Sequence, residues 1–258
     1  MLTRQQKLQF HEQGWLKIPG AVPKIMVEKA RRAINHSVGN IGRGEDRPDR
    51  NRDGQFCDEL RNAESITDLF NKTPLSGAAG SLLGKQGYHE IRGGQIALRF
   101  PMPPMVDPRE PNGHLDGLGN GRNGQPKGSY RRGFSMFAVV YLSHVSEEFS
   151  GNFTVWPKSH AAYEAHFKKH GHEVLSNGLP RFELPEKRVM VTGEPGDAVL
   201  AHYQMMHGAC PNASSNIRYA AIFRVRSKRL EPPGFAGYTD IWHEFPGVQK
   251  ALEPPKKA

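Results

Sequence analysis

From residue 88 onward the chain breaks into short runs rich in Val, Ile, Phe and Tyr: "GGQIALRFP", "FSMFAVVYLSHV", "GNFTVWP", "RVMVT", "GDAVLAHY" and "IRYAAIFRV". Gly, Pro, Asn and Asp separate them. β-branched and aromatic residues suit a pleated, half-buried surface, and the punctuating residues suit turns, so each run predicts a strand. Many short strands joined without a helical crossover predict two antiparallel sheets packed face to face. The first third differs. Thr3 and Gln6 can form a capping box over a helix at 3–14, and Gly14 supplies its stop. "WLKIPG" then reads as a strand. Ile25, Met26, Ala30, Ala33 and Ile34 recur at helical spacing over 23–36. Further helices are expected near 62–71 and 74–83. The polar stretch "IGRGEDRPDRNRDG" at 41–54 predicts a mobile loop. The fold expected is mainly β (α+β), a jelly roll with N-terminal helices packed outside. No linker divides the strands, so residues 1–258 read as one domain: a mostly helical part at 1–87, the core at 88–230, and a covering loop at 231–258 whose end, "EPPKKA", is frayed.

Several function classes drop out early. "GSLLGKQ" at 80–86 has the wrong glycine spacing for a phosphate loop and Gln86 where Ser or Thr is required. No G-x-S-x-G nucleophile elbow exists. The two cysteines, Cys57 and Cys210, are far apart and support neither a disulfide framework nor a thiolate metal site. No apolar run of about 18 residues is present, and the N-terminus lacks the apolar core of a secretory signal, so a cytoplasmic protein is expected. The net charge of +9 is spread along the chain and reads as solubility rather than as a nucleic-acid surface.

The chemistry concentrates in "PNGHLDGLGNGRNG" at 111–124. On a strand, residues two apart share a face, so His114 and Asp116 can present an imidazole nitrogen and a carboxylate oxygen to one point while Leu115 turns into apolar packing. A third donor, His207, precedes a Gly and a Pro-Asn turn, and Arg218 opens the next strand eleven residues later. Two His and one carboxylate with open positions opposite is the facial arrangement of non-haem Fe(II) oxygenases. A nearby Arg can clamp a carboxylate with paired hydrogen bonds. The same donors also suit catalytic Zn²⁺, which would have no use for the Arg. A basic jelly-roll module that binds polyanions without catalysis is the third reading, and it leaves the three donors idle.

These blocks resemble the phytanoyl-CoA dioxygenase-like group of Fe(II)/2-oxoglutarate-dependent oxygenases over most of the chain. "FHEQGWLKIPGAV" (10–22) is similar to the family's opening, "HLD" to its H-x-D, "GNFTVWPKSH" (151–160) to its Gly-rich strand, and "PGDAVLAHYQMMHGACPNASSNIR" (195–218) to its most specific block. The resemblance implies a double-stranded β-helix in which His114, Asp116 and His207 bind Fe(II) and Arg218 binds the distal carboxylate of 2-oxoglutarate. It implies consumption of dioxygen and 2-oxoglutarate, with release of succinate and CO2. Halogenating relatives carry a small residue in place of the carboxylate, so Asp116 favours hydroxylation of a small-molecule substrate.

The substrate itself is not legible. Gln95 and Arg99 on the preceding strand are candidates to touch it. So are Lys127, Arg131 and Arg132 in the loop 117–133, which leaves the ligand-bearing segment and is placed to meet an anionic group or close over the site. Among the remaining polar residues, His202 reads as a non-ligand that sits near the site or packs structurally, and His160 as structural, in a turn that ends a strand. "HFKKHGH" at 166–172 reads as a solvated face. Arg224 and Arg226 read as ordinary strand-edge arginines, and Trp156, Trp242 and Phe245 as packing.

Overall fold

A computed structural model describes residues 1–40, 56–121 and 125–254. The expected loop at 41–54, the middle of the 117–133 loop and the last four residues lie outside these. Helix α1 (Arg4–Gln13) begins on the Thr3–Gln6 capping box and ends on Gly14 in the left-handed region at φ 77°. Reciprocal capping of this kind stabilises a helix start by about 1 kcal/mol. Strand β1 (Trp15–Ile18) follows, then α2 (Lys24–Asn40), α3 (Glu64–Asn71) and α4 (Pro74–Leu83). The strands are β2 (Gln95–Arg99), β3 (Met136–Tyr141), β4 (Phe153–Val155), β5 (Val189–Met190), β6 (Ala198–His202), β7 (His207–Ala209) and β8 (Arg218–Val225). Helix α5 (Ser159–His170) lies between β4 and β5, and α6 (Pro246–Leu252) closes the described chain.

The strands form two antiparallel sheets, one ordered β1-β6-β3-β8-β2 and one ordered β5-β4-β7. Alternation along each strand divides the apolar residues between two cores. Phe137, Val139 and Tyr141 of β3 face Phe153 and Val155 of β4, filling the space between the sheets. Met136, Ala138 and Val140 face outward and are covered by α1–α4 and α6 through Phe10, Ile34, Ile66, Phe70, Leu82 and Val248. Every residue of β3 is buried because both its faces are covered, which is why its sequence is a continuous apolar run. Each large side chain removed from water here contributes about 1.5–3 kcal/mol. This is the jelly roll with outer helices that the sequence predicts.

Two local expectations change. His160 does not end a strand: it sits in the first turn of α5, fully buried, with Nε2 3.0 Å from the His11 carbonyl oxygen. The apolar face of α5 is narrow, with Tyr163 and Phe167 buried four residues apart among Lys and His, so polarity hides the helix in the sequence. The C-terminal segment is more than a loop, because α6 packs on α1 and α4 and Glu244 just before it is completely buried.

Candidate metal centre

The two His meet through the backbone. Residue 114 forms an isolated antiparallel bridge with residue 207: the His114 N–H donates to the His207 carbonyl at 2.9 Å and the His207 N–H returns the bond at 3.1 Å. This places the imidazoles side by side, with ring centroids 4.5 Å apart. Asp116 follows on the same face. Its Oδ1 lies 3.5 Å from His114 Nε2 and 3.8 Å from His207 Nε2, and one donor atom from each of the three residues lies within 4.8 Å of the others. Leu115 is 3% exposed and belongs to the inter-sheet core, so the expected alternation of faces holds.

The protonation states suit a metal. His207 Nδ1 lies 2.9 Å from the Met205 carbonyl oxygen, which can only accept, so Nδ1 carries the proton and Nε2 offers its lone pair. The ring packs against Phe137 and Phe153. Burial, reinforced by the neighbouring His114, pulls the His207 pKa down to about 4, so it is neutral at physiological pH. Burial alone would raise the Asp116 carboxyl. Interactions with His114, His207 and the Arg224 guanidinium outweigh it and hold the group ionised, well below the usual carboxylate range. Two imidazoles and one carboxylate form a donor set compatible with Fe(II). Donors bound at about 2 Å from one ion stand about 3–4 Å apart, which the observed separations match.

Away from the triad, β2 and β8 line the space between the sheets. Their register sets Arg99 opposite Arg218, Ala97 opposite Ala220 and Gln95 opposite Ile222. Alternate residues turn outward: Ile96, Leu98, Ala221 and Phe223 all belong to the helix-covered core. Arg218 is 5% exposed, and its Nε and Nη1 donate to the carbonyl oxygens of Gly151 and Ala97 at 2.7 and 2.9 Å. Burial and the adjacent Arg99 lower its pKa to about 10. Arg99 is lowered by burial as well. Among the described residues neither guanidinium forms an ion pair with a carboxylate. Gly151, at φ 72°, allows this crowding: a Cβ there would stand 3.0 Å from that of Arg99 and 3.1 Å from that of Arg218.

The candidates for substrate contact divide. Gln95 reaches the site, because its Oε1 accepts from Arg224 Nη1 at 2.9 Å. Arg99 lies beside Arg218. Arg132 does not reach the site: it is buried in an ion pair with Glu244 at 2.8 Å, donates to the Gly234 carbonyl and stacks over Tyr203. The Glu244 carboxylate also accepts from the Ser135 hydroxyl. Arg132 is therefore a core brace, and its place next to the exposed Arg131 in sequence is misleading. Arg131 and Lys127 are exposed on a small hairpin whose stem pairs Gly117 with Arg131 and Gly119 with Ser129.

Arg224 is the residue the sequence reading misplaced. Its Nε and Nη2 donate to Asp116 Oδ2 at 3.2 and 3.1 Å. Alternation along β8 puts 218, 220, 222 and 224 on one face, so the signal was available: Arg224 shares the face of Arg218. A cavity of about 450 Å³ opens beside Gln95, Ile222 and Arg224, and Arg61, Arg92 and Arg226 are among its lining residues. His202 is fully buried and hydrogen-bonds the Ile241 carbonyl, apart from the triad. Trp242 and Phe245 pack around it.

A jelly roll that gathers two His and a carboxylate, and buries an arginine that has no carboxylate partner among the described residues, has the build of a non-haem iron oxygenase. The chain belongs to the phytanoyl-CoA dioxygenase (PhyH) family, whose model matches residues 10–220. No curated protein matches it in sequence. Similar solved structures include the non-haem α-ketoglutarate-dependent carbocyclase SnoK from nogalamycin biosynthesis, at 19% identity over 88% of this chain and 84% of that one, TM-score 0.56. HygX from Streptomyces hygroscopicus, seen with nickel, 2-oxoglutarate and hygromycin B, matches at 18% identity over 89% of each chain, TM-score 0.55. EctD from S. alaskensis in its apoform matches at 17% identity over 90% and 80%, TM-score 0.56. At these identities the likeness concerns the fold. Among the described residues no helix is long and apolar enough to cross a membrane.

Proposed function

We propose that this chain is an Fe(II)- and 2-oxoglutarate-dependent dioxygenase that hydroxylates a small organic substrate carrying an anionic group, with release of succinate and CO2. His114, Asp116 and His207 would hold Fe(II), and Arg218, with Arg99 beside it, would hold the distal carboxylate of 2-oxoglutarate. When bound, the iron supplies activation of dioxygen coupled to decarboxylation of the co-substrate. The chain's own residues bind and orient. The Met205 carbonyl fixes the His207 tautomer, and Ala97 and Ala220 keep side chains short between the arginines and the triad. Phe137 and Phe153 keep the His207 side of the site dry.

One observation carries the reading: Arg218 is a buried cation without a carboxylate partner among the described residues, inside the same inter-sheet space as the triad. A hydrolytic zinc site has no use for it. Hydroxylation, rather than halogenation, is favoured because Asp116 keeps a carboxylate where halogenating relatives carry a small residue. The anionic substrate is argued from Arg61, Arg92, Arg224 and Arg226, which outnumber Asp58 and Glu90 in the lining of the cavity at Arg224. The test is turnover with isotopically labelled dioxygen in a screen of small organic acids. One labelled oxygen in the product and one in succinate supports hydroxylation. Product formation without 2-oxoglutarate contradicts it. Arg92→Ala and Arg226→Ala should raise the substrate KM and leave that of 2-oxoglutarate unchanged.

A further inference from the structure

The two oxygens of Asp116 have different partners. Oδ1 faces both imidazole Nε2 atoms, at 3.5 and 3.8 Å. Oδ2 faces away and receives two hydrogen bonds from the Arg224 guanidinium, at 3.2 and 3.1 Å. The third edge of that guanidinium is held by Gln95 Oε1 at 2.9 Å, and its face lies over the Phe134 ring at 5.6 Å. The backbone at Asp116 is fixed separately: its carbonyl accepts from the Tyr203 hydroxyl at 2.7 Å, and the next residue, Gly117, is paired with Arg131. With the main chain pinned, the remaining freedom is rotation of the carboxylate, and Arg224 removes it.

We infer that Arg224, oriented by Gln95, is a positioning residue that occupies the outer oxygen of Asp116 and leaves Oδ1 alone for the metal. The inference rests on the triad reading given above. A carboxylate free to turn could present both oxygens and take up a coordination position that a co-substrate or dioxygen needs. The fork shape of the guanidinium matters, since two donors meet one oxygen while a third reaches Gln95. A lysine could supply charge but not this geometry. Arg224 also lines the 450 Å³ cavity together with Gln95, so the residue that holds Asp116 Oδ2 is also part of that cavity's wall. An ordinary strand-edge arginine would make none of these contacts.

The test is Co(II) binding to the metal-free full-length protein, followed by calorimetry and by the visible ligand-field spectrum, without turnover. Partners that orient a ligand typically change metal affinity about 10–100-fold when removed. Arg224→Met should therefore weaken Co(II) at least about tenfold and alter the ligand-field bands. Arg224→Lys should fall between it and the parent, and Gln95→Leu should lose a few-fold. In an Asp116→Asn background, Arg224→Met should have less than about a twofold further effect, because it acts through the carboxylate; a merely structural role would weaken both backgrounds alike. Unchanged or tighter Co(II) binding in Arg224→Met, with Asp116→Ala defective, overturns the role of Arg224 and leaves the triad standing. Parent-like binding in Asp116→Ala overturns the triad reading, and this inference with it.

Discussion

Among the described residues two arginines are buried, and their removal should have different consequences. Arg132 and Arg218 are 3% and 5% exposed. Arg132 is paired with Glu244, and both side chains are fully buried. Replacing it with Met strands a carboxylate in the core, where the Ser135 hydroxyl and His243 are its remaining side-chain partners among the described residues. Breaking a buried pair from one side costs about 3–5 kcal/mol, a large part of the 5–15 kcal/mol of a typical domain. Arg218 has two carbonyl acceptors and, among the described residues, no counter-charge. Burial, with Arg99 adding to it, brings its pKa down to about 10. Burial penalises the charged form, so the cost is fully present at neutral pH, on the order of 3 kcal/mol, and fades only as pH rises past the folded value. Against that relief, the Gly151 and Ala97 carbonyls lose donors, at about 1–3 kcal/mol each. The terms largely offset each other, so Arg218→Met should change stability by less than about 3 kcal/mol. Urea unfolding of the metal-free variants measures both. Repeating it anaerobically with Mn(II) and 2-oxoglutarate should show co-substrate stabilisation in Arg132→Met, though from a lower baseline, and none in Arg218→Met. Equal destabilisation by the two variants, with co-substrate stabilisation kept in Arg218→Met, would refute the reasoning and make Arg218 a second brace.

Acid should destabilise the metal-free protein well before its carboxylates titrate. Burial lowers His160 and His207 to about 4 and His202 further. Their unfolded counterparts take up protons below about 6.5, so stability is full above that value and is lost as pH falls toward 4. His160 alone is worth about 3 kcal/mol across this window. Urea midpoints measured down the window should fall, and His160→Gln should flatten the slope; a parent midpoint independent of pH contradicts the assignment. Gly151→Ala should displace both Arg99 and Arg218, because its Cβ meets theirs at 3.0 and 3.1 Å in a left-handed conformation. The expected result is at least a tenfold loss of 2-oxoglutarate affinity, on the order of 1.4 kcal/mol, with metal binding retained; an unchanged affinity would show that the two arginines do not meet the co-substrate.

Patterns set by chain geometry were legible in the sequence. The capping box and Gly14 delimit α1 as read, the apolar runs become strands, and alternation turns Leu115 inward between His114 and Asp116. Features set by tertiary partners were less so. Arg131 and Arg132 are neighbours in a basic loop, yet one is exposed and the other neutralises Glu244, a residue more than a hundred positions away that nothing local announces. Helix α5 was hidden because only Tyr163, Phe167 and the buried His160 mark its inner face. Arg224 is the instructive case: the period of two that selects Arg218 on β8 selects it too, but only the fold shows that Asp116 lies within its reach.

The central claim is that one triad binds iron in a form that accepts 2-oxoglutarate. The most direct measurement is an anaerobic titration of metal-free protein with Fe(II) and then 2-oxoglutarate, followed in the visible spectrum. The expected result is a charge-transfer band that requires both additions, is lost in Asp116→Ala, and needs far more 2-oxoglutarate in Arg218→Met. Fe(II) binding without such a band at saturating 2-oxoglutarate would contradict it.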